Sequence, residues 1–169
     1  ASNGLLAARL AARGFTSRLD IVEIDQGFAA TQSDDFNYDG AVRSPRQGFH
    51  IRDNLFKYHA ACYLTHSTIE ILAGLRNQEQ IAPEQVEVVT LSVDPGHLKV
   101  CNIQDPDTGL AVKFSLRHTA ALALAGLDTA GIDSYSDTNA KDTDLVALRS
   151  KVRAEGNGGP STPATARVT

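Results

Sequence analysis

The sequence predicts an α+β domain in which a small sheet is covered by helices. Three observations lead there. Apolar residues recur at helical spacing in separate stretches, around Leu5–Leu10, Leu64–Leu75, Leu116–Leu127 and Leu145–Val152. Between them the β-branched run from Val86 to Val93 reads as a strand. The order lacks the regular βαβ alternation of a doubly wound sheet, and neither GxGxxG nor a P-loop is present.

Leu5 to Arg13 is predicted helical, with Leu6 and Leu10 on one face and Gly14 placed to stop it. Leu19 to Ile24 reads as β-like. From Gln26 to Asn54 the chain is polar, rich in Gly, Asp and Ser, and contains Pro45; a long irregular connection is expected. A second helix is predicted from about Ala61 to Asn77, burying Leu64, Thr68, Ile71, Leu72 and Leu75. Ile81 to Glu84 is a turn. The strand Val86–Val93 has apolar residues on both faces, so cover on both sides is expected. Asp94-Pro-Gly96 turns the chain, Leu98–Ile103 is expected as another strand, and Asp105–Gly109 is a second turn. A third helix is predicted over Leu116–Leu127, with Ser115 as N-cap and Leu116, Ala120, Ala123, Leu124 and Leu127 facing inward. Asp133–Asp137 reads as a turn. A fourth helix is predicted from about Thr143 to Ala154, through Leu145, Leu148 and Val152. Glu155–Pro163 is rich in Gly, Pro and Ser and is expected to be loose, and Ala164–Thr169 reads as the opening of a strand.

Composition narrows the function classes. The 169 residues suit one domain, or one domain with pieces of a second. The net charge is −4 and the Lys and Arg residues are scattered, so nucleic acid is not an expected partner. No apolar run approaches the roughly 20 residues that span a bilayer, so a membrane is not expected either. Cys62 and Cys101 are far apart and there is no CxxC; reduced thiols in a cytoplasmic compartment are the expectation, with a single bridge between the two left open. The sequence contains no methionine, and the chain is expected to be a piece of a longer protein.

Chemistry-bearing side chains concentrate in Phe56–Arg76: Lys57, His59, Cys62, Thr65 and His66, with Tyr58 and Tyr63 among them. A helix start gathers unpaired N–H groups and partial positive charge, and a lysine with two histidines there makes a seat for a carboxylate. Each residue has a plainer alternative. Lys57 is either a surface lysine or an anion clamp. His66 is either a partner for Glu70 or an imidazole that moves protons near neutral pH. His59, Cys62 and His66 would share one helical face, but no fourth ligand accompanies them, so no metal is expected. His118 opens the third helix after Lys113 and beside Arg117, where a solvated histidine is the plain reading. No GxSxG elbow supports a serine nucleophile.

Several blocks, in order, carry a family resemblance: Gly4–Thr16, Glu23-Ile-Asp-Gln-Gly-Phe28, Phe56-Lys57 with Thr65-His66, Lys113-Phe-Ser-Leu116, and Asp144–Val152. Together they resemble the MmgE/PrpD family, which includes 2-methylcitrate dehydratase, cis-aconitate decarboxylase and iminodisuccinate epimerase. The resemblance implies a large helical domain and a smaller α+β lid with the active site between them. On that basis residues 1–48 are expected to end the helical domain, 49–138 to form the lid and 139–169 to return toward the helical domain. It also implies a cofactor-independent lyase, a dehydratase or decarboxylase, acting on small di- or tricarboxylates by proton transfer next to a carboxylate. An epimerase of the same family and a non-catalytic anion-binding remnant are the alternatives. Lys57 and His66 match the family's catalytic lysine and histidine, and His59, Thr65 and His118 are candidates for substrate binding. The family's remaining catalytic groups come from the helical domain, so the isolated chain is expected to be inactive, its partners being that domain and a second copy in a homodimer. The sequence departs from the family at Tyr58-His59-Ala60-Ala61, where a proline-containing stretch is common, and at Arg117-His118, where Pro-Tyr is common.

Overall fold

A computed structural model describes residues 2–44 and 49–169, the side chains of Val42 and His50 apart; Pro45 lies outside the described residues. The chain divides into two compact units, Ala1–Asn54 and Leu55–Thr169.

Among its described residues the first unit holds three α-helices, α1 (Ser2–Ala11), α2 (Phe28–Gln32) and α3 (Tyr38–Val42), and a 3-10 turn at His50–Asp53. Ala, Leu and Arg favour the helical state in α1. It ends where expected: Gly14 has φ +83°, and the Phe15 amide donates to the Leu10 carbonyl at 3.1 Å. Leu19–Ile24 is not a strand. Ile24 N–H donates back to Asp20 at 3.0 Å, and the chain returns so that Phe28 and Ala29 donate to Ile21 and Val22. Gly27 makes that return possible, because a Cβ there would collide with the carbonyls of Ile21 and Ile24. β propensity needs a partner strand to be expressed, and the described part of this unit has none. Ala29 is its one buried apolar side chain among the described residues.

The second unit is a three-stranded sheet packed with helices. In chain order it contains α4 (His66–Glu79), β1 (Val89–Val93), α5 (Pro95–Val100), α6 (Gly109–Val112), α7 (Leu116–Ala125), α8 (Asp137–Lys141), α9 (Thr143–Ser150), β2 (Val152–Gly156) and β3 (Thr165–Val168). The α+β prediction holds. β1 is central, parallel to β2 (Val89 opposite Val152) and antiparallel to β3 (Val89 opposite Val168). Val89, Leu91 and Val93 are fully buried on one face, while Thr90 and Ser92 are half-buried on the other. Helix α7 packs on α4, α9 and β2, and Leu116, Ala120, Ala121 and Leu122 have no exposed surface. Ser115 caps it, accepting from the His118 amide at 3.1 Å, and Gly126 at φ +79° closes it.

The strand expected from Val86 begins at Val89, and two other elements differ from the sequence expectation for physical reasons. Leu98–Ile103 is not a strand: Asp94 accepts from the Gly96 amide, Pro95 takes the first helical position, and one turn of α5 results. The fourth helix stops at Ser150 because Val152–Gly156 is paired with β1. The segment expected to be loose is tied. Since β2 and β3 flank β1, their connection crosses its end; Asn157 N–H donates to Val93 at 2.7 Å, and its side chain donates to the carbonyls of Thr162 and Pro163. The strand expected at the C-terminal residues is β3.

Candidate functional site

The segment ahead of α4 does not continue the helix. Its backbone is bonded elsewhere: Ala60 N–H donates to Thr129 and Cys62 N–H to Lys113, each at 3.0 Å. Tyr63–Thr65 forms a single 3-10 turn, and the regular helix starts at His66 rather than Ala61. The Thr65 hydroxyl donates to the Cys62 carbonyl at 2.8 Å, which fixes the turn and accounts for the full burial of Thr65. His59, Cys62 and His66 therefore do not share a helical face. Among the described residues no group of three or more His, Cys, Asp or Glu is arranged to hold a metal.

His59 joins three pieces of chain. Its Nε2 lies 2.8 Å from Glu70 Oε1 on α4 and its Nδ1 lies 2.8 Å from Thr129 Oγ1. An Nε2–H donating to the carboxylate and a threonine hydroxyl donating to Nδ1 satisfy both contacts. Glu70 thus pairs with His59, not with His66. The His66 ring stands edge-on to His59, centroids 4.9 Å apart, with Tyr63 at 5.2 Å on another side. His66 is 8% exposed, and its Nε2 has no hydrogen-bond partner among the described residues. Burial first, then the neighbouring His59 ring and the Lys57 charge, lowers its pKa below the usual histidine value. The shift favours the uncharged imidazole.

Beside this pair opens a cleft of about 540 Å³, lined by Lys57, His59, Cys62, Lys113, Phe114 and Ile132 among others. Lys57 is exposed and donates to the Ala61 carbonyl at 3.1 Å. Lys113 is half-buried, its ammonium 5.7 Å from the centre of the Tyr135 ring. Two ammonium groups on one wall system suit a small anion. Lys113 is the cleft residue that sequence reasoning missed, although the block Lys113–Leu116 carried part of the resemblance. A second hollow of about 370 Å³ is lined by Pro83, Glu84, Ala125, Asp144, Leu148 and Lys151. Its two carboxylates disfavour an anionic ligand, and Lys151 already donates to the Val86 carbonyl at 2.6 Å.

His118 is elsewhere. It is fully buried on α7, is not among the residues lining the cleft, and neither ring nitrogen has a hydrogen-bond partner among the described residues. Burial, aided by the Arg149 charge, pushes its pKa down to about 4. The solvated histidine expected from sequence is instead a neutral core residue.

With this geometry in view, the comparison with known families is specific. A family model described as the MmgE/PrpD C-terminal domain matches residues 59–159. The chain belongs to the MmgE/PrpD family. The matched stretch takes in His59, Cys62, Thr65, His66, Lys113 and His118, and Lys57 lies just before it. It runs from the segment ahead of α4 through β2, so the β1–β2 pairing and the cleft lining other than Lys57 lie inside the match, whereas β3 lies beyond it. No curated protein matches the chain.

Proposed function

We propose that this MmgE/PrpD chain is part of a cofactor-independent lyase acting on small di- or tricarboxylates, and that the Lys57–Lys113 cleft holds a substrate carboxylate. The reading is supported above all by two lysines from distant parts of the sequence lining one cleft beside a buried histidine with a lowered pKa. Removing a proton next to a carboxylate builds enolate-like charge. Fixed cations stabilise that charge, and the base that takes the proton must be uncharged beforehand. Lys57 and Lys113 fill the first role. His66, whose uncharged form burial favours, fills the second from behind His59, since it does not itself line the cleft. His59 and Thr65 act by holding the segment that carries Lys57, and His118 acts through packing alone. The remaining catalytic groups come from a helical domain, so the isolated chain binds the acid without turning it over.

Calorimetric titration of the chain with citrate tests this. Lys57→Ala and Lys113→Ala should each weaken binding about tenfold to a hundredfold, the range of a lost charge-assisted hydrogen bond. Binding carried by lysines should be flat through neutral pH, with any gain from His66 protonation appearing only below about 6.5. Affinity unchanged in both lysine variants would remove the cleft from the substrate site.

A further inference from the structure

The chain's two cysteines sit on different elements, Cys62 ahead of the 3-10 turn into α4 and Cys101 at the C-cap of α5. One short segment brings them together. Lys113 O accepts from the Cys62 amide and Leu116 N–H donates to Cys101 O, each at 3.0 Å, with an antiparallel bridge between Asn102 and Ser115. Both side chains pack in one core cluster, close enough for Cys62 to raise the Cys101 pKa, and both thiols are free. Exposure separates them: Cys101 is fully buried in the core cluster, whereas Cys62 packs against that cluster and lines the open cleft.

We propose that Cys62 and Cys101 form a site of reversible oxidation by hydrogen peroxide, in which the cleft thiol is attacked first and the buried thiol closes a disulfide on it. An accessible thiol next to a second thiol is an arrangement in which a sulfenic acid condenses to a disulfide. The Cys62 sulfur, as thiolate, attacks one peroxide oxygen. The O–O bond breaks, Cys62 becomes a sulfenic acid, and the departing hydroxide takes up the thiol proton as water. The Cys101 sulfur then attacks the Cys62 sulfur. The S–O bond breaks, the S–S bond forms, and the hydroxide leaves with the Cys101 proton as a second water. Two thiols lose two electrons and two protons, and one peroxide is reduced to two waters. Burial and the neighbouring Cys62 hold the Cys101 thiol up, to about 12, while the Lys57 charge pulls it down. Once Cys62 is a sulfenic acid its charge no longer opposes ionisation of Cys101, so the first step eases the second. The bridge ties the start of α4 to the end of α5 and constrains the unfolded chain. It does not rest on the carboxylate reading.

The test uses the full chain, reduced, desalted and exposed to hydrogen peroxide, followed by thiol counting in denaturant and peptide mass mapping without reductant. The expected result is loss of both thiols together, a Cys62 peptide joined to the Cys101 peptide within one chain, and recovery of both thiols with dithiothreitol. Cys101→Ala should stop at a sulfenic acid on Cys62 that dimedone traps. Sulfinic acid on Cys62 with Cys101 still reduced, links only between chains, or two thiols that survive peroxide would each overturn the proposal. Mapping of the unmutated chain decides this whether or not Cys101→Ala folds.

Discussion

The two units of this chain use the same residue types to opposite effect. In the first, Leu5, Leu6, Phe15 and Phe28 are 64%, 58%, 64% and 64% exposed. In the second, Ile69, Leu72, Leu91 and Leu122 have no exposed surface. The difference is not propensity, since α1 is made of better helix formers than α4. It is pairing. The second unit contains β1, which receives β2 and β3 from late in the sequence, and α7, which α4 and α9 cover. Amphipathic pattern makes an element, but long-range partners make a core.

The sharpest way to break that contrast is a matched pair of truncations. Leu72→Ala should cost about 2–5 kcal/mol, the range for emptying a fully buried leucine site. Leu6→Ala, on an exposed face, should stay within about 0.5 kcal/mol. Urea unfolding monitored by circular dichroism reads both. Equal losses would mean that Leu6 is not free of burial in solution.

The same contrast explains what could be read from sequence. α7 was legible because Leu116, Ala120 and Leu124 keep helical spacing between a serine cap and a C-terminal glycine, all local signals. The strand expected over Val86–Val93 was legible from Val89 onward by its apolar face, while Val86 closes the preceding turn and the opposite face is only half-buried. Leu19–Ile24 was misread because its β-branched residues have no strand to pair with, and pairing is not a local property. Leu98–Ile103 was misread although Asp94-Pro95 carried a helix-start signal, because the Gly96 that follows suggested a turn. Of the cleft wall, Lys57 was legible from one short block, whose His66 lies behind His59 and not on the wall. Lys113 was not, because it reaches the cleft only through the pairing of its carbonyl with Cys62. His118 was misread as solvated because helix α7 is buried nearly all round, so its polar position is not an outer one.

A smaller effect comes from the most enclosed ionisable group of the second unit. His118 has a folded pKa of about 4 against a usual value of 6.5. Above pH 6.5 it is neutral in both states and its full contribution is present. As pH falls below 6.5 the unfolded chain binds the proton first, so stability drops, by up to about 3 kcal/mol once pH 4 is passed, at about 1.4 kcal/mol per unit. Arg149 opposes protonation and Asp142 favours it, but burial dominates. His118→Leu should flatten stability against pH across that window. The lowered pKa of His66 acts in the same direction and remains in the variant. Equal acid losses in the two proteins would show that His118 acquires a partner on protonation.

The smallest effect compares one device in both units. Asp142 caps α9, its carboxylate accepting from the amides of Asp144 and Leu145, each at 3.0 Å. Asn37 caps α3 in the same way, accepting from the Gly40 amide at 2.8 Å. Replacing such a cap by alanine removes about 1 kcal/mol from the helix it serves. Whether that loss reaches the cooperative transition depends on what the helix packs against. α9 buries Leu145 and Leu148 in the core cluster, so Asp142→Ala should lower the unfolding midpoint and Asp142→Ser should restore most of it. α3 has five residues, and none of the buried apolar side chains belongs to it among the described residues. A helix that short is marginal on its own, so its cap adds to a local equilibrium and not to the cooperative one. Asn37→Ala should therefore leave the midpoint unchanged while speeding amide exchange at Gly40 and Ala41. A midpoint shift equal to that of Asp142→Ala would mean that α3 unfolds with the core, and the contrast between the two units would then be one of exposure but not of stability.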